Sequence, residues 1–279
     1  MKVVSIETGN FKLDGGAMFG VVPKSLWERT NPADKQNLCP WSMRSMLVDY
    51  GDRKVLIDNG IGDKQSAKFF RHFHLHGEDT LLKSLAKQGY HPDDITDIFL
   101  THLHFDHCGG GVKYNDKGEL ETVFKNATYW SNEAHWNLAM NPNDREKASF
   151  LRENLVPMKA SGQLDFIKTD GLFLPGFDVL FAEGHTEAQM IPHISYKEQT
   201  IVFAADLLPS VGHIPLPYVM GYDTKPLVTL QEKKVFLEAA AQKEYNLFLQ
   251  HDYYQSCCKV MQTEKGIKLQ ETFKFEERF

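Results

Sequence analysis

Residues 101–110 read THLHFDHCGG and place His102, His104, Asp106 and His107 within six positions. No other stretch constrains the chain as strongly. Neutral imidazole and carboxylate suit zinc, iron, manganese or nickel, whereas a structural zinc site more often shows cysteines. His102 and His104 stand two apart, so on an extended segment they point to one side. Asp106 and His107 follow on a turn and can face a second ion. Gly109, Gly110 and Gly111 let the backbone bend sharply beneath them. With 12 histidines in 279 residues, HxHxDH arises by chance in roughly one or two chains per thousand of this composition.

The rest of the chain supplies further donors. Apolar runs predict buried strands at 95–101, 177–183, 200–205 and 246–250. The first runs into the histidines, the second ends in Gly184-His185, the third in Asp206 and the fourth in His251-Asp252. If those ends share one sheet edge, their imidazoles and carboxylates converge. Runs at 46–50 and 55–58 flank Gly51-Asp52-Arg53-Lys54 and predict a hairpin. Leu81, Leu82 and Leu85 share a face of a helix at about 79–88, with Gly89 as its stop. Residues 127–140 read as a strand followed by a helix capped near Asn132, and 143–155 as a second helical run. Residues 229–243 predict a helix in which Thr229 and Glu232 form a capping box. Strands with interspersed helices make an α/β or layered α+β fold. No repeat or linker divides the chain, so residues 1–279 read as one domain.

A hydrophobic fraction of 42% leaves ample material for a core, and a net charge of −6 argues against a nucleic-acid surface. Nowhere do about 18 apolar residues run together, which argues against a membrane span. The first residues lack the pattern of a secretory signal, so the cytoplasm is the expected location. Cys39, Cys108, Cys257 and Cys258 show no disulfide or CxxC spacing and read as buried reduced thiols, Cys108 included. His72, His74 and His76 read as a surface or interface segment.

HxHxDH followed by a distant GHT, a strand-ending aspartate and a last histidine resembles the metallo-β-lactamase superfamily of binuclear hydrolases, from LIDNG at 56–60 to QHDYY at 250–254. The resemblance implies a four-layer αββα sandwich. It implies that His102, His104 and His185 hold one metal, that Asp106, His107 and His251 hold the other, and that Asp206 bridges them. Asp58 matches a position that supports a ligand histidine, because ligand imidazoles usually donate their other N–H to a carboxylate or carbonyl. Two divalent ions are implied. Zinc is the first expectation, and iron, manganese and cobalt are accepted by the same ligands. Such a pair, about 3.5–4 Å apart, holds a bridging hydroxide that attacks a carbonyl or phosphoryl centre. Asp106 and Asp206 are then the catalytic carboxylates, Asp106 also as a proton shuttle.

THLHFDHCGG, FAEGHTEAQM and FAADLLPS look most like the subgroup of N-acyl homoserine lactonases and methyl-parathion-hydrolase-like enzymes. Zinc β-lactamases usually carry Cys where Asp206 stands. The implied activity is hydrolysis of a lactone or carboxylic ester, as in a quorum-signal lactonase, with promiscuous phosphotriesterase action. The best-known lactonases place a tyrosine shortly after the bridging aspartate. Here Leu207, Leu208, Pro209 and Ser210 follow, and the later candidates for substrate contact are His213, Tyr218 and Tyr222. Segment 15–41 is expected at the substrate pocket or a dimer contact, with Met18, Phe19 and Val22 as an apolar wall for a small substrate with an apolar tail. A homodimer is the family expectation. Two alternatives stay open: a glyoxalase-II-like thioesterase and a mononuclear iron redox enzyme on the same fold. The first usually has a helical C-terminal domain, for which the 28 residues after His251 leave little room.

Overall fold

The structure is a computed structural model and describes residues 1–279. In chain order the first strands are β1 (Lys2–Asp14), β2 (Leu38–Asp49), β3 (Lys54–Ile57), β4 (Asp97–Phe99), β5 (Val112–Tyr114), β6 (Leu120–Thr122), β7 (Thr128–Ser131) and β8 (Leu164–Phe166). Then come β9 (Gly171–Leu174), β10 (Phe177–Ala182), β11 (Gln189–Tyr196), β12 (Gln199–Phe203), β13 (Asn246–Phe248), β14 (Cys257–Thr263) and β15 (Gly266–Phe273). The helices are α1 (Gly15–Phe19), α2 (Lys24–Trp27), α3 (Ala67–Arg71), α4 (Leu81–Lys87), α5 (Phe105–Cys108), α6 (Glu133–Met140), α7 (Arg152–Ala160) and α8 (Pro226–Gln242). Two compact units emerge: Met1–Gly9 with Met43–Thr169, and Asn10–Ser42 with Asp170–Phe279.

The first unit is built on a six-stranded sheet in the order β1-β2-β3-β4-β7-β8. β2 and β3 form the expected hairpin, Met46 opposite Ile57, with the Arg53 carbonyl accepting the Tyr50 N–H at 2.8 Å. From β3 through β8 the pairing is parallel, and parallel neighbours need crossovers, which are often helical. α4 begins where the Thr80 hydroxyl accepts the Lys83 N–H and ends at Gly89, whose φ of 83° lies in the left-handed region. Its Leu81 and Leu85 join Leu47, Leu56, Ile98 and Trp136 in the core. Each such side chain contributes about 1.5–3 kcal/mol on full burial. The Asn132 side chain caps α6 as expected. The helical run expected from 143 starts later, at Arg152. The Asn143 side-chain oxygen instead accepts the N–H groups of Arg145 and Glu146, and the Ser149 carbonyl accepts the Phe105 N–H. These bonds outcompete a regular helix there.

The second unit holds a seven-stranded sheet, β15-β14-β13-β12-β11-β10-β9, antiparallel except for β12 beside β13. Phe203 and Phe248, on that parallel pair, stack at 5.3 Å, and Phe177, Ile191 and Ile201 are also buried. α8 packs on β14 and differs from expectation at its start. It begins at Pro226, ahead of Thr229, with no side-chain cap; proline suits a first helical position because it has no N–H to leave unpaired. Glu232 is therefore no capping-box residue. Its carboxylate accepts the backbone N–H groups of Glu183 and Gly184 at 2.6 and 3.0 Å. No helix is long and apolar enough to cross a membrane.

Candidate active site

In the first unit the chain leaves β4 and enters the histidine segment directly. Thr101, His102, His104 and His107 are all buried. His102 Nε2 and His104 Nδ1 stand 3.1 Å apart, and His107 Nε2 stands 3.6 Å from Asp106 Oδ2. Two ligands on a tetrahedral ion at 2.0–2.1 Å are about 3.3 Å apart, so each pair has the spacing of donors that share a cation.

Asp58 organises this half. It follows β3 with a φ of 55°, and its own N–H is donated to the Phe99 carbonyl. Its Oδ1 accepts the Thr101 N–H at 2.8 Å. Its Oδ2 accepts the Thr101 hydroxyl at 2.9 Å and the His107 Nδ1–H at 2.9 Å. The Thr101 oxygen in turn accepts the His102 Nδ1–H at 3.1 Å. One carboxylate thus sets two imidazoles, one directly and one through a hydroxyl, so that both keep Nε2 as the lone-pair nitrogen. His104 is the reverse case: Nδ1 faces His102, while Nε2 lies 3.6 Å from Glu146 Oε2.

The glycines allow the close approach beneath. Gly110 donates to the Gly60 carbonyl at 2.9 Å, and Asn59 donates to the His107 carbonyl at 2.8 Å. A Cβ on Gly110 would lie 2.1 Å from the Asn59 oxygen, and one on Gly109 2.2 Å from the Ile61 oxygen. Backbone packs on backbone, and no side chain fits between. Burial pushes the Cys108 thiol up to about 12, and its Sγ contacts the Leu103 carbonyl, so it is a packing residue and no nucleophile.

In the second unit three strand-end residues meet. His185 follows β10, Asp206 follows β12 and His251 follows β13. Asp206 Oδ2 is 3.0 Å from His185 Nε2, and its Oδ1 is 2.9 Å from His251 Nε2. The other ring nitrogens are engaged: His185 Nδ1–H donates to Asp223 at 2.8 Å, and His251 Nδ1–H donates to the Ser42 carbonyl at 2.8 Å. Burial opposes a charge on His185, but the carboxylates of Asp206 and Asp223 outweigh it and raise its pKa to about 10. The pocket favours positive charge at this point, which an ion would supply. Asp252, beside His251, serves the loop instead and accepts the N–H groups of Val211, Tyr254 and Gln255.

The expected substrate residues lie mostly inside. Met18, Phe19 and Val22 are buried, and Phe19 is stacked between Trp27 at 5.2 Å and His213 at 4.4 Å. His213 donates Nε2–H to the Met18 carbonyl and accepts the Ser210 hydroxyl at Nδ1, and burial pushes its pKa down to about 3. Tyr218 is half-buried with its ring edge-on to Phe19, while Tyr222 is exposed. His72 and His74 are exposed, and His76 is half-buried.

Several working residues escaped the sequence reading: Thr101, Glu146, Asp223, the Ser42 carbonyl and an aromatic cluster. In that cluster Phe69 of α3 and the neighbouring Phe73 pack on Phe105 at 5.3 and 4.8 Å. All three rings are half-buried, and Phe105 sits between His104 and Asp106 in sequence. The one local signal for the cluster is the spacing of Phe69 and Phe73, four apart, which gives helical neighbours.

Residues 44–251 match the profile of the metallo-beta-lactamase superfamily. The chain belongs to the metallo-beta-lactamase superfamily. It has the mixed α/β metallo-beta-lactamase fold. A solved structure of a probable metal-dependent hydrolase from Staphylococcus aureus is 29% identical, covers 98% of each chain and superposes with a TM-score of 0.87. AidC, a dizinc quorum-quenching lactonase solved with an acyl homoserine product, is 22% identical, with a TM-score of 0.79 over 97% of this chain and 94% of its own. An N-acyl homoserine lactonase of Bacillus cereus is 23% identical over 243 residues, 82% of this chain and 88% of that protein.

Proposed function

We propose that this metallo-beta-lactamase superfamily member hydrolyses a lactone or carboxylic ester of a small molecule with an apolar tail, and that it works with two divalent ions, zinc first among them. The carrying observation is Asp206: its two carboxylate oxygens each face a different imidazole Nε2, at 3.0 and 2.9 Å. A carboxylate so divided suits a bridge between two ions better than a ligand to one. By the superfamily resemblance, His102, His104 and His185 would hold one ion, Asp106, His107 and His251 the other, and Asp206 would serve both. The neutral imidazole and carboxylate donors fit such ions.

When bound, the ions supply Lewis acidity toward a carbonyl oxygen and bring the pKa of water toward neutrality. The chain's own residues do the rest. Asp58, Thr101 and Asp223, with the Ser42 carbonyl, hold four imidazoles in the tautomer that keeps the lone pair on Nε2. The Asp106 side chain is 14% exposed, whereas that of His107 is fully buried, which supports Asp106 as the group that would pass a proton to the leaving oxygen. Phe69, Phe73 and Phe105 offer the apolar tail a half-buried aromatic surface beside that carboxylate. On the loop after Asp206, Tyr222 has an exposed ring and precedes Asp223, and we assign it to substrate contact. The likeness to an acyl homoserine lactonase over 82% of the chain supports the substrate class.

The test pairs elemental analysis of purified protein with a substrate panel: acyl homoserine lactones, simple lactones, aryl esters, S-lactoylglutathione and paraoxon. About two zinc ions per chain with lactone turnover is the expected result. One iron per chain, no hydrolysis and oxygen consumption would overturn it in favour of the redox alternative. Turnover confined to S-lactoylglutathione would move the substrate class to thioesters.

A further inference from the structure

Lys233 lies on α8, seven residues past its start, and is 1% exposed. A lysine so deeply buried is rare unless it is paired. Its Nζ has three hydrogens and three acceptors, the carbonyls of His213 at 3.0 Å, Pro215 at 3.2 Å and Tyr218 at 2.6 Å. All three belong to one loop, the stretch between Asp206 and Asp223. Three carbonyl dipoles aimed at one point repel one another unless a cation stands there. The loop's backbone conformation is therefore conditional on the ammonium, as a cation site's is on its ion.

What the loop carries gives this consequence. His213 is held by Ser210, the Met18 carbonyl and the stacked Phe19 ring, and Tyr218 stands edge-on to the same ring. Tyr222 and Asp223 close the loop, and Asp223 accepts from His185. The neighbouring Glu232 clamps the N–H groups of Glu183 and Gly184, just before His185. Adjacent side chains of one helix thus grip the ligand-bearing strand end and the loop after Asp206 separately.

We infer that Lys233 is a positioning residue that templates the 207–222 loop, so that it governs substrate fit without governing metal binding. The kinetic part of this inference rests on the hydrolase reading above; the structural part does not.

The test uses the metal-loaded full chain with Lys233→Met and Lys233→Ala. Lys233→Met keeps the stem and removes the charge, which guards against simple misfolding. Metal content is expected to match wild type in both. In Lys233→Met, hydrogen exchange of the amides in 207–222 speeds up while β12 and β13 stay protected. KM for a hexanoyl homoserine lactone rises about tenfold, with kcat within about threefold. In Lys233→Ala, propylammonium restores loop protection and KM, whereas the uncharged propan-1-ol does not. Unchanged loop exchange in Lys233→Met would overturn the inference. Equal rescue by propan-1-ol would also overturn it, because cavity filling would then suffice. Loss of metal would do the same, because the residue would then act through the ligands. If wild type turns over no lactone, the substrate reading alone fails, and exchange with its ammonium-specific rescue still decides the role of Lys233.

Discussion

The two units hold their candidate metal donors in opposite ways. The first draws four donors from six consecutive residues and fixes them largely through backbone, with the glycines of 109–111 pressed on the 58–62 loop and Asp58 at the centre. The second draws three donors from positions 185, 206 and 251 and fixes them with side chains and a remote carbonyl: Asp223, Glu232 and the Ser42 carbonyl. A contiguous site is rigid wherever its own turn is rigid. A dispersed site depends on each strand end being held independently, so it has more places to fail and more places to tune.

The largest effect is expected where the second unit's donors meet. Asp206→Asn leaves shape intact but gives each imidazole an amide in place of a carboxylate oxygen. Activity should fall by roughly a thousandfold, beyond the roughly 10–100-fold usual for losing a ligand's hydrogen-bond partner. Elemental analysis should show fewer ions per chain, and full retention of metal and rate would remove Asp206 from the site.

The next effect sets the two units side by side. Asp58→Asn disturbs two imidazoles, His107 and, through Thr101, His102, whereas Asp223→Asn disturbs one imidazole, that of His185. Zinc affinity measured by chelator competition should drop about 100-fold for the first and about 10-fold for the second. Equal losses would mean that the contiguous half is no more centralised than the dispersed one.

Gly110→Ala probes the backbone contact of the first unit. With its Cβ 2.1 Å from the Asn59 oxygen, the substitution should cost roughly 3 kcal/mol of stability in chemical denaturation. A neutral result would show that the 58–62 loop yields, and that rigidity there lies elsewhere.

The smallest effect is a pH dependence in the second unit. Burial lowers the Lys233 pKa from 10.5 to about 8. Between those values the unfolded chain binds more protons than the folded one, so this group makes stability rise with pH from about 8 to 10.5. Lys233→Met should flatten that part of the stability profile. A profile identical to wild type would place the ammonium in contact with water.

The first half of the site was legible in the sequence because its spacing is local. HxHxDH with three glycines implies a turn crowded with donors whatever the rest of the chain does. The strand-ending Gly184-His185, Asp206 and His251 were legible as ends of apolar runs, and β10, β12 and β13 do stop just short of them. The hairpin at 46–57 and the cap at Asn132 followed from local turn and capping chemistry. The start of α8 did not. A Thr-x-x-Glu pattern looks the same whether Glu232 caps its own helix or reaches a strand end about 48 residues away. Nor could the sequence assign His213 and Lys233, because an imidazole with both nitrogens engaged inside the fold reads the same as one facing substrate.

By itself, then, the sequence determined the donor types, the turn that gathers half of them and the strand ends that carry the others. These depend on residue chemistry and on periodicity within a few positions. Only the tertiary structure decided which nitrogen each imidazole presents, which acid steadies it, that Glu146 and Asp223 stand beside His104 and His185, and that a buried lysine collects three carbonyls. Those are contacts between residues far apart in the chain, and their geometry exists only once the intervening elements have packed.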